Sequence, residues 1–295
     1  MGSFSDRIVT GGLLALGALS RAASIRRRIG IGRAMGDAMM KLDGRRLNIT
    51  TTNVERAFPS MASGEIRSIV RESYHNLGIT LAELLAIPSM SAGDIRRHMV
   101  IPGIEALRAR AERREPSVLV SGHYGNWELL AMAGALHADT AFTIVVHPQK
   151  NRFADDLLNS YRTKFGNRLV SMSNAARTLV KVLDEGGSVA FLADQHANPQ
   201  RDAWIPFFGR PTPTYEAPAA LALRYGAQMY TAFPVRQADG GYVAPFEAIR
   251  MDDIPNDREG VRILTERHVK ALEDAVRAHP GMWSWQHRRW REDDV

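Results

Sequence analysis

The period of the hydrophobic positions changes once along this chain, near residue 117. Upstream, Ile66, Ile69, Val70, Tyr74, Leu77, Leu81, Leu84 and Leu85 recur at helical spacing. They predict a helix that opens at Ser63-x-x-Ile66 with Glu65 in its first turn and ends at Pro88. Residues 91–116 predict shorter helices and a charged segment from Arg108 to Glu115. Downstream, short apolar runs predict strands at Val118–Val120, Phe142–Val146, Leu169–Val170, Ser188–Ala193, Met229–Val235 and Tyr242–Ile249. Between and after them, helical spacing predicts helices at 127–137, Asp155–Phe165, Ala175–Leu183, Pro218–Tyr225 and Val261–Ala278, with Gly166, Gly186-Gly187 and Gly226 as stops. Strands alternating with helices predict an α/β fold, a mixed central sheet flanked by helices, with an N-terminal helical layer to about residue 116. There is no internal repeat, low-complexity segment or clear linker.

The first 35 residues form a segment of different character. The run Ile8–Leu19 carries no charge, and Arg21, Arg26, Arg27, Arg28 and Arg33 follow it. A spanning helix needs about 20 apolar residues, and this run is shorter. A short apolar helix with a basic flank predicts a membrane-proximal, surface-lying anchor. An ordinary buried helix and a signal peptide are the competing readings; Asp6 in the would-be positive region and the lack of a small-residue cleavage site speak against the second. Residues 36–295 are then a single α/β domain.

Composition narrows the partners. The 38 Lys and Arg against 32 Asp and Glu leave a net charge of +6, which favours anionic lipid headgroups or acidic carrier proteins. No zinc-finger spacing, aromatic RNA-binding motif or helix-turn-helix signature points to nucleic acid. The absence of cysteine excludes disulfides, thiolate metal sites and a cysteine nucleophile.

The chemistry gathers where strands end. Ser121-Gly122-His123-Tyr124-Gly125-Asn126-Trp127-Glu128 joins an apolar strand to an apolar helix through a glycine turn. It places a histidine beside a helix N-terminus, where backbone amides hold a carbonyl oxygen or a phosphate. Glu128 lies five residues after His123, in the first turn of that helix, able to reach back. A histidine and a carboxylate so placed suit removal of a proton from an alcohol. Asp194, with Gln195 and His196, follows the strand Ser188–Ala193. If the two strands are neighbours, Asp194 accepts from the second ring nitrogen of His123, as an alternative to Glu128. After the strand at 142–146 comes His147-Pro148-Gln149-Lys150-Asn151-Arg152, and with Arg162 on the next helix it offers a phosphate-binding set in Lys150, Arg152 and Arg162. Ile205–Thr214, rich in Pro, Gly and aromatic residues, predicts a loop lining an acyl-chain groove, with Phe207 and Phe208 in it.

Taken together, these blocks resemble the bacterial lipid A biosynthesis acyltransferases, a family that includes lauroyl and myristoyl transferases and the phosphatidylinositol mannoside acyltransferase. Asn53–Pro59, Glu72–Gly78, the His123-x4-Glu128 block, Ala193-Asp194-Gln195, Pro206–Gly209 with Thr212, and Trp283–Trp290 resemble its blocks in order and spacing. The resemblance implies a glycerolipid-acyltransferase-like fold and an enzyme on the cytoplasmic face of the bacterial inner membrane. Such an enzyme moves an acyl group from acyl-carrier protein or acyl-CoA to a glycolipid hydroxyl without metal or redox cofactor. By carry-over His123 is the base, Glu128 or Asp194 its acidic partner, donors near Gly125 and Asn126 the oxyanion site, and Asn151 and Gln195 substrate contacts. The tryptophans and arginines of 283–291 are expected at the bilayer interface. Many relatives have Arg-Pro-x-x-Asn where this chain has His147-Pro148-Gln149-Lys150-Asn151, which leaves the phosphate contact to Lys150 or Arg152. A lipid-ester hydrolase and a non-catalytic membrane-binding protein are the alternatives; the chain has no G-x-S-x-G elbow for the first.

Overall fold

A computed structural model of the chain describes residues 4–149 and 151–291, with side chains from residue 11 onward. Its N-terminal layer holds α1 (Phe4–Ala22), α2 (Ile25–Leu42), α3 (Gly44–Ala57), α4 (Ser63–Ala86) and α5 (Ala92–His98). The α/β part follows in the order β1 (Met99–Val100), α6 (Glu105–Glu112), β2 (Ser117–Ser121), α7 (Trp127–Ala138), β3 (Phe142–Val146), α8 (Arg152–Arg162), β4 (Arg168–Ser171), α9 (Ala175–Asp184) and β5 (Ser188–Leu192). It closes with β6 (Ala203–Phe207), β7 (Arg210–Thr214), α10 (Ala217–Arg224), β8 (Gln228–Ala232), β9 (Val235–Arg236), β10 (Tyr242–Val243), β11 (Phe246–Ala248) and α11 (Arg258–Ala278).

The main sheet runs β11-β8-β2-β5-β3-β4, parallel throughout except for β11. Strand β2 is therefore central, covered on both faces, which is why Val118, Leu119 and Val120 are all apolar and buried. Its register against β5 pairs Ser121 with Leu192, so the two chains leave the sheet side by side at their carboxyl ends.

Helix α4 is the spine of the helical layer. It contributes Leu84 and Leu85 to the core beneath the sheet and Ile66, Ile69, Val70 and Tyr74 to the aromatic core at the other end. Against it, α2 crosses at backbone contact: a Cβ on Gly78 would stand 2.1 Å from the Gly32 carbonyl oxygen. Helix α1 docks through Leu13, Leu16, Gly17 and Ser20, one face at i, i+3, i+4 and i+7, while Leu14, Ala15, Ala18 and Leu19 face outward. The first part of the apolar run, through Thr10, lies outside the described side chains. Among the described residues, no helix is long and apolar enough to cross a membrane.

Three expectations change. The long strands predicted at 229–235 and 242–249 are each broken, at Phe233-Pro234 and Ala244-Pro245, and the pieces β9 and β10 join β1 in a small separate sheet of order β1-β10-β9. Proline cannot donate to a ladder, so each run ends where its proline stands. The predicted loop at 205–214 is instead the β6–β7 hairpin, turning at Phe208-Gly209, both with positive φ. Its prolines fall at the pairs Pro206–Pro211 and Trp204–Pro213, alternate positions where a backbone N–H would point away from the ladder and is not needed. Phe207 and Phe208 therefore do not line a groove; they are buried in the aromatic core with Trp283, Trp285 and Trp290.

The C-terminal tryptophans are likewise inside rather than at a bilayer interface, with Trp283 2% and Trp285 0% exposed. Each indole finds an acceptor in the interior: Asp194 for Trp283, Pro280 O for Trp285 and Thr212 Oγ1 for Trp290. Burial of the ring with a satisfied N–H is the stable solution for a tryptophan.

Candidate active site

The site is built where β2 and β5 end together. Past Ser121 the chain turns sharply, with Tyr124 N–H donating to Gly122 O, and places His123 over the carboxyl edge of the sheet. Past Leu192, Asp194 arrives beside it because Ala193 N–H still bonds to Ser121 O. One Asp194 oxygen sits 2.8 Å from His123 Nδ1; the other accepts from His123 N–H at 2.7 Å and from Trp283 Nε1–H at 2.8 Å. Asp194 is almost wholly buried, whereas the His123 side chain retains 23% exposure.

This geometry sets both protonation states. Burial alone would raise the pKa of Asp194, but the His123 charge, its hydrogen bonds and the Trp283 indole outweigh burial and hold it down at about 2. Burial alone would lower the pKa of His123; the charge and hydrogen bond of Asp194 outweigh it and hold it above the ordinary histidine value, with Glu128 assisting and Arg162 opposing. The carboxylate fixes the proton on Nδ1 and leaves Nε2 as the acceptor, with the Gln195 amide 3.3 Å away.

Glu128 does not pair with His123. It forms a two-pronged ion pair with Arg162 of α8, at 2.8 Å and 2.5 Å, and the two side chains are 12% and 16% exposed. The reason is reach: at the start of α7, Glu128 projects toward the neighbouring helix α8, while the strand pairing has already delivered Asp194 to the imidazole.

The turn itself is held from below. Gly125 has φ +53°, and a Cβ there would collide with Pro234 O at 1.9 Å. Its carbonyl accepts from Asn76 and Thr80, and its N–H donates to Met282 O. Asn126 is buried: its Oδ1 caps α7 through Leu129 N–H, and its amide donates to Glu83. Glu83, deep in α4, also accepts from Tyr242 and meets His98. Burial would push this carboxyl up, but His98, Arg236 and Tyr242 together hold it below its ordinary value. The Gly125 N–H and the Asn126 side chain are thus already committed, and in the first turn of α7 the Trp127 and Glu128 N–H groups are the ones lacking intrahelical acceptors. Glu83 and Trp283 are site residues that the sequence reading does not single out; Trp283 lies in one of the blocks, whereas Glu83, the one charged residue of 77–86, carries no local pattern that marks it for the site.

A cavity of about 650 Å³ opens beside His123. On the sheet it is lined by Leu119 to Ser121 of β2, Ile144 to Val146 of β3 and Ala190 to Leu192 of β5. Helix α4 supplies Leu77, Leu81 and Leu84, and α7 supplies Leu130, Ala131 and Gly134. His123, Glu128, Arg162, His147, Gln149 and Gln195 are its polar residues near the strand ends. Of the predicted phosphate set, Arg162 lines the cavity; Arg152 is exposed at the start of α8 and does not; Asn151 caps α8 through Ala154 N–H; Lys150 lies outside the described residues. Among the described residues there is no cluster of three or more metal-ligating side chains.

The arrangement is a buried carboxylate, an oriented imidazole and an apolar channel that meets them. The Ser121 hydroxyl donates to Ala232 O at 2.7 Å. The family model described as "Bacterial lipid A biosynthesis acyltransferase" matches residues 4–292. Among curated proteins, a phosphatidylinositol mannoside acyltransferase of Mycobacterium tuberculosis is 24% identical, covering 75% of this chain and 70% of that one. A lipid A biosynthesis acyltransferase 2 of Shigella flexneri is 22% identical, over 86% and 79%. A lipid A biosynthesis myristoyltransferase of Escherichia coli (strain K12) is 20% identical, over 79% and 71%. The chain belongs to the bacterial lipid A biosynthesis acyltransferase family.

Proposed function

We propose that this acyltransferase moves a fatty acyl chain from a thioester, carried by acyl-carrier protein or CoA, to a hydroxyl of a glycolipid. The observation that carries the reading is the His123–Asp194 pair at the mouth of an apolar cavity long enough to run beneath several strands. The acyl chain lies in that cavity and its carbonyl reaches His123. Nε2 takes the proton of the acceptor hydroxyl as its oxygen attacks the thioester carbonyl carbon, and Asp194 stabilises the imidazolium. The Trp127 and Glu128 N–H groups at the positive end of α7 hold the oxyanion. When the C–S bond breaks, the thiolate takes the proton from the imidazolium.

The acyl thioester is a co-substrate, and side chains carry every proton in this scheme. The outward face of α1 and the arginines after it fit a site of action at an anionic membrane surface, on the cytoplasmic face of the inner membrane. The relatives' names point to lipid A biosynthesis and to phosphatidylinositol mannoside, and a hydroxyl of either kind of glycolipid suits this chemistry.

The test is mass spectrometry of lipids from cells with and without the gene, complemented by wild type or His123→Ala. A glycolipid that loses one acyl chain on deletion, restored by wild type alone, is the expected result. Restoration by His123→Ala refutes the base; an unchanged lipid profile together with no transfer by purified protein refutes the reaction.

A further inference from the structure

A second and much smaller cavity, of about 10 Å³, is lined by Asp194 but not by His123. Asp194, His268 of α11 and Arg289 supply its charged and titratable lining, and Val120, Phe207 and Leu272 are among its apolar walls. His268 is 3% exposed and Arg289 2% exposed. Each carries one nitrogen with no protein partner: Nε2 of His268 and Nε of Arg289. The other Arg289 nitrogens are bonded, Nη1 to Gln195 O and Pro213 O and Nη2 to Thr214 Oγ1.

Two unpartnered buried nitrogens, on two side chains that line one small space, are costly unless something bonds them. We infer that this cavity is a binding site for a single ordered water molecule, bonded to Arg289 Nε and His268 Nε2 beside Asp194. The volume is that of one water centre, and a water needs two to four polar partners, which these side chains provide. The chemistry also selects water over an ion. An anion would face the Asp194 carboxylate and a cation the Arg289 guanidinium, whereas a water accepts from Arg289 Nε–H and donates to the imidazole and toward the carboxylate. Burial, with Arg289 adding to it, holds the His268 pKa down at about 4, so the ring is neutral and has a lone pair to offer. The site joins α11 and the C-terminal segment to the acidic residue of the His123 pair. It holds whether or not the acyl-transfer scheme does.

The experiment is a crystal structure of the full chain at a resolution that shows ordered water, repeated for His268→Phe. A single peak bonded to both Arg289 Nε and His268 Nε2 is expected in the wild type, and its loss is expected in the variant. An empty cavity, a peak that refines as an ion, or direct protein partners for both nitrogens overturns the assignment. A peak that persists unchanged in His268→Phe also overturns it. The wild-type crystal decides the matter if the variant fails to fold.

Discussion

Trp283 donates its indole N–H to Asp194 at 2.8 Å, so a residue near the C-terminus holds the carboxylate that holds His123. The same backbone stretch accepts Ser73 and Asn53 side chains at Trp283 O, Trp285 O and His287 O, which ties α3 and α4 to the site. In Trp283→Phe the carboxylate loses one donor and becomes more basic, and it holds the imidazolium more tightly. The acid limb of the rate profile is expected to move to higher pH, with a lower rate at neutral pH. A limb unchanged from wild type, at whatever rate, would show that the indole only packs.

Asp194→Asn keeps the shape and removes the charge. Acyl transfer is expected to fall about 10²- to 10⁴-fold, the range lost when a general base loses its orienting partner. The sign of the pH dependence follows from the shifts. His123 is a base only when neutral, and its pKa is held above the ordinary 6.5, so wild-type activity rises with pH along a limb above that value. Asp194 stays ionised down to about pH 2 and adds no limb in the neutral range. Removal of its charge should move the residual limb downward, measurable as kcat/KM from pH 5 to 9 with a water-soluble thioester.

The Glu128–Arg162 pair is mostly buried, so losing one partner strands the other. Glu128→Gln or Arg162→Met alone is expected to cost on the order of 3 kcal/mol of stability. The double variant should recover part of that loss in chemical denaturation. Additive losses would mean that the pair is not coupled in solution.

Ala131 lines the acyl cavity from α7. Ala131→Phe should fill part of the channel and lower transfer from long-chain thioesters by about tenfold or more, with short-chain donors little affected. Equal loss for all chain lengths would place the acyl chain elsewhere.

Leu14 and Leu19 are 47% and 60% exposed on the outer face of α1, while Leu13 and Leu16 pack inward. Leu14→Ser with Leu19→Ser should weaken binding to anionic vesicles and leave the melting temperature within a degree or two, as surface changes do. Vesicle binding equal to wild type would remove α1 from the membrane contact.

By itself the sequence determined the local elements and placed the candidate base, His123, at a strand end beside a helix N-terminus. The strand, turn and helix around His123 are read from two apolar runs and the glycines between them, all local signals. The long helix α4 was legible from spacing alone. Tertiary structure decided which carboxylate meets the imidazole, because that depends on β2 lying next to β5, a pairing about 70 residues apart in the chain that no local pattern encodes. It also decided that Phe207, Phe208 and the C-terminal tryptophans are core. An aromatic residue with a polar handle suits a groove, a bilayer surface or an interior equally well until the acceptor for its N–H is in place. Here the acceptors are Asp194 and Thr212, brought to Trp283 and Trp290 only when the C-terminal segment packs against β5 and the β6–β7 hairpin.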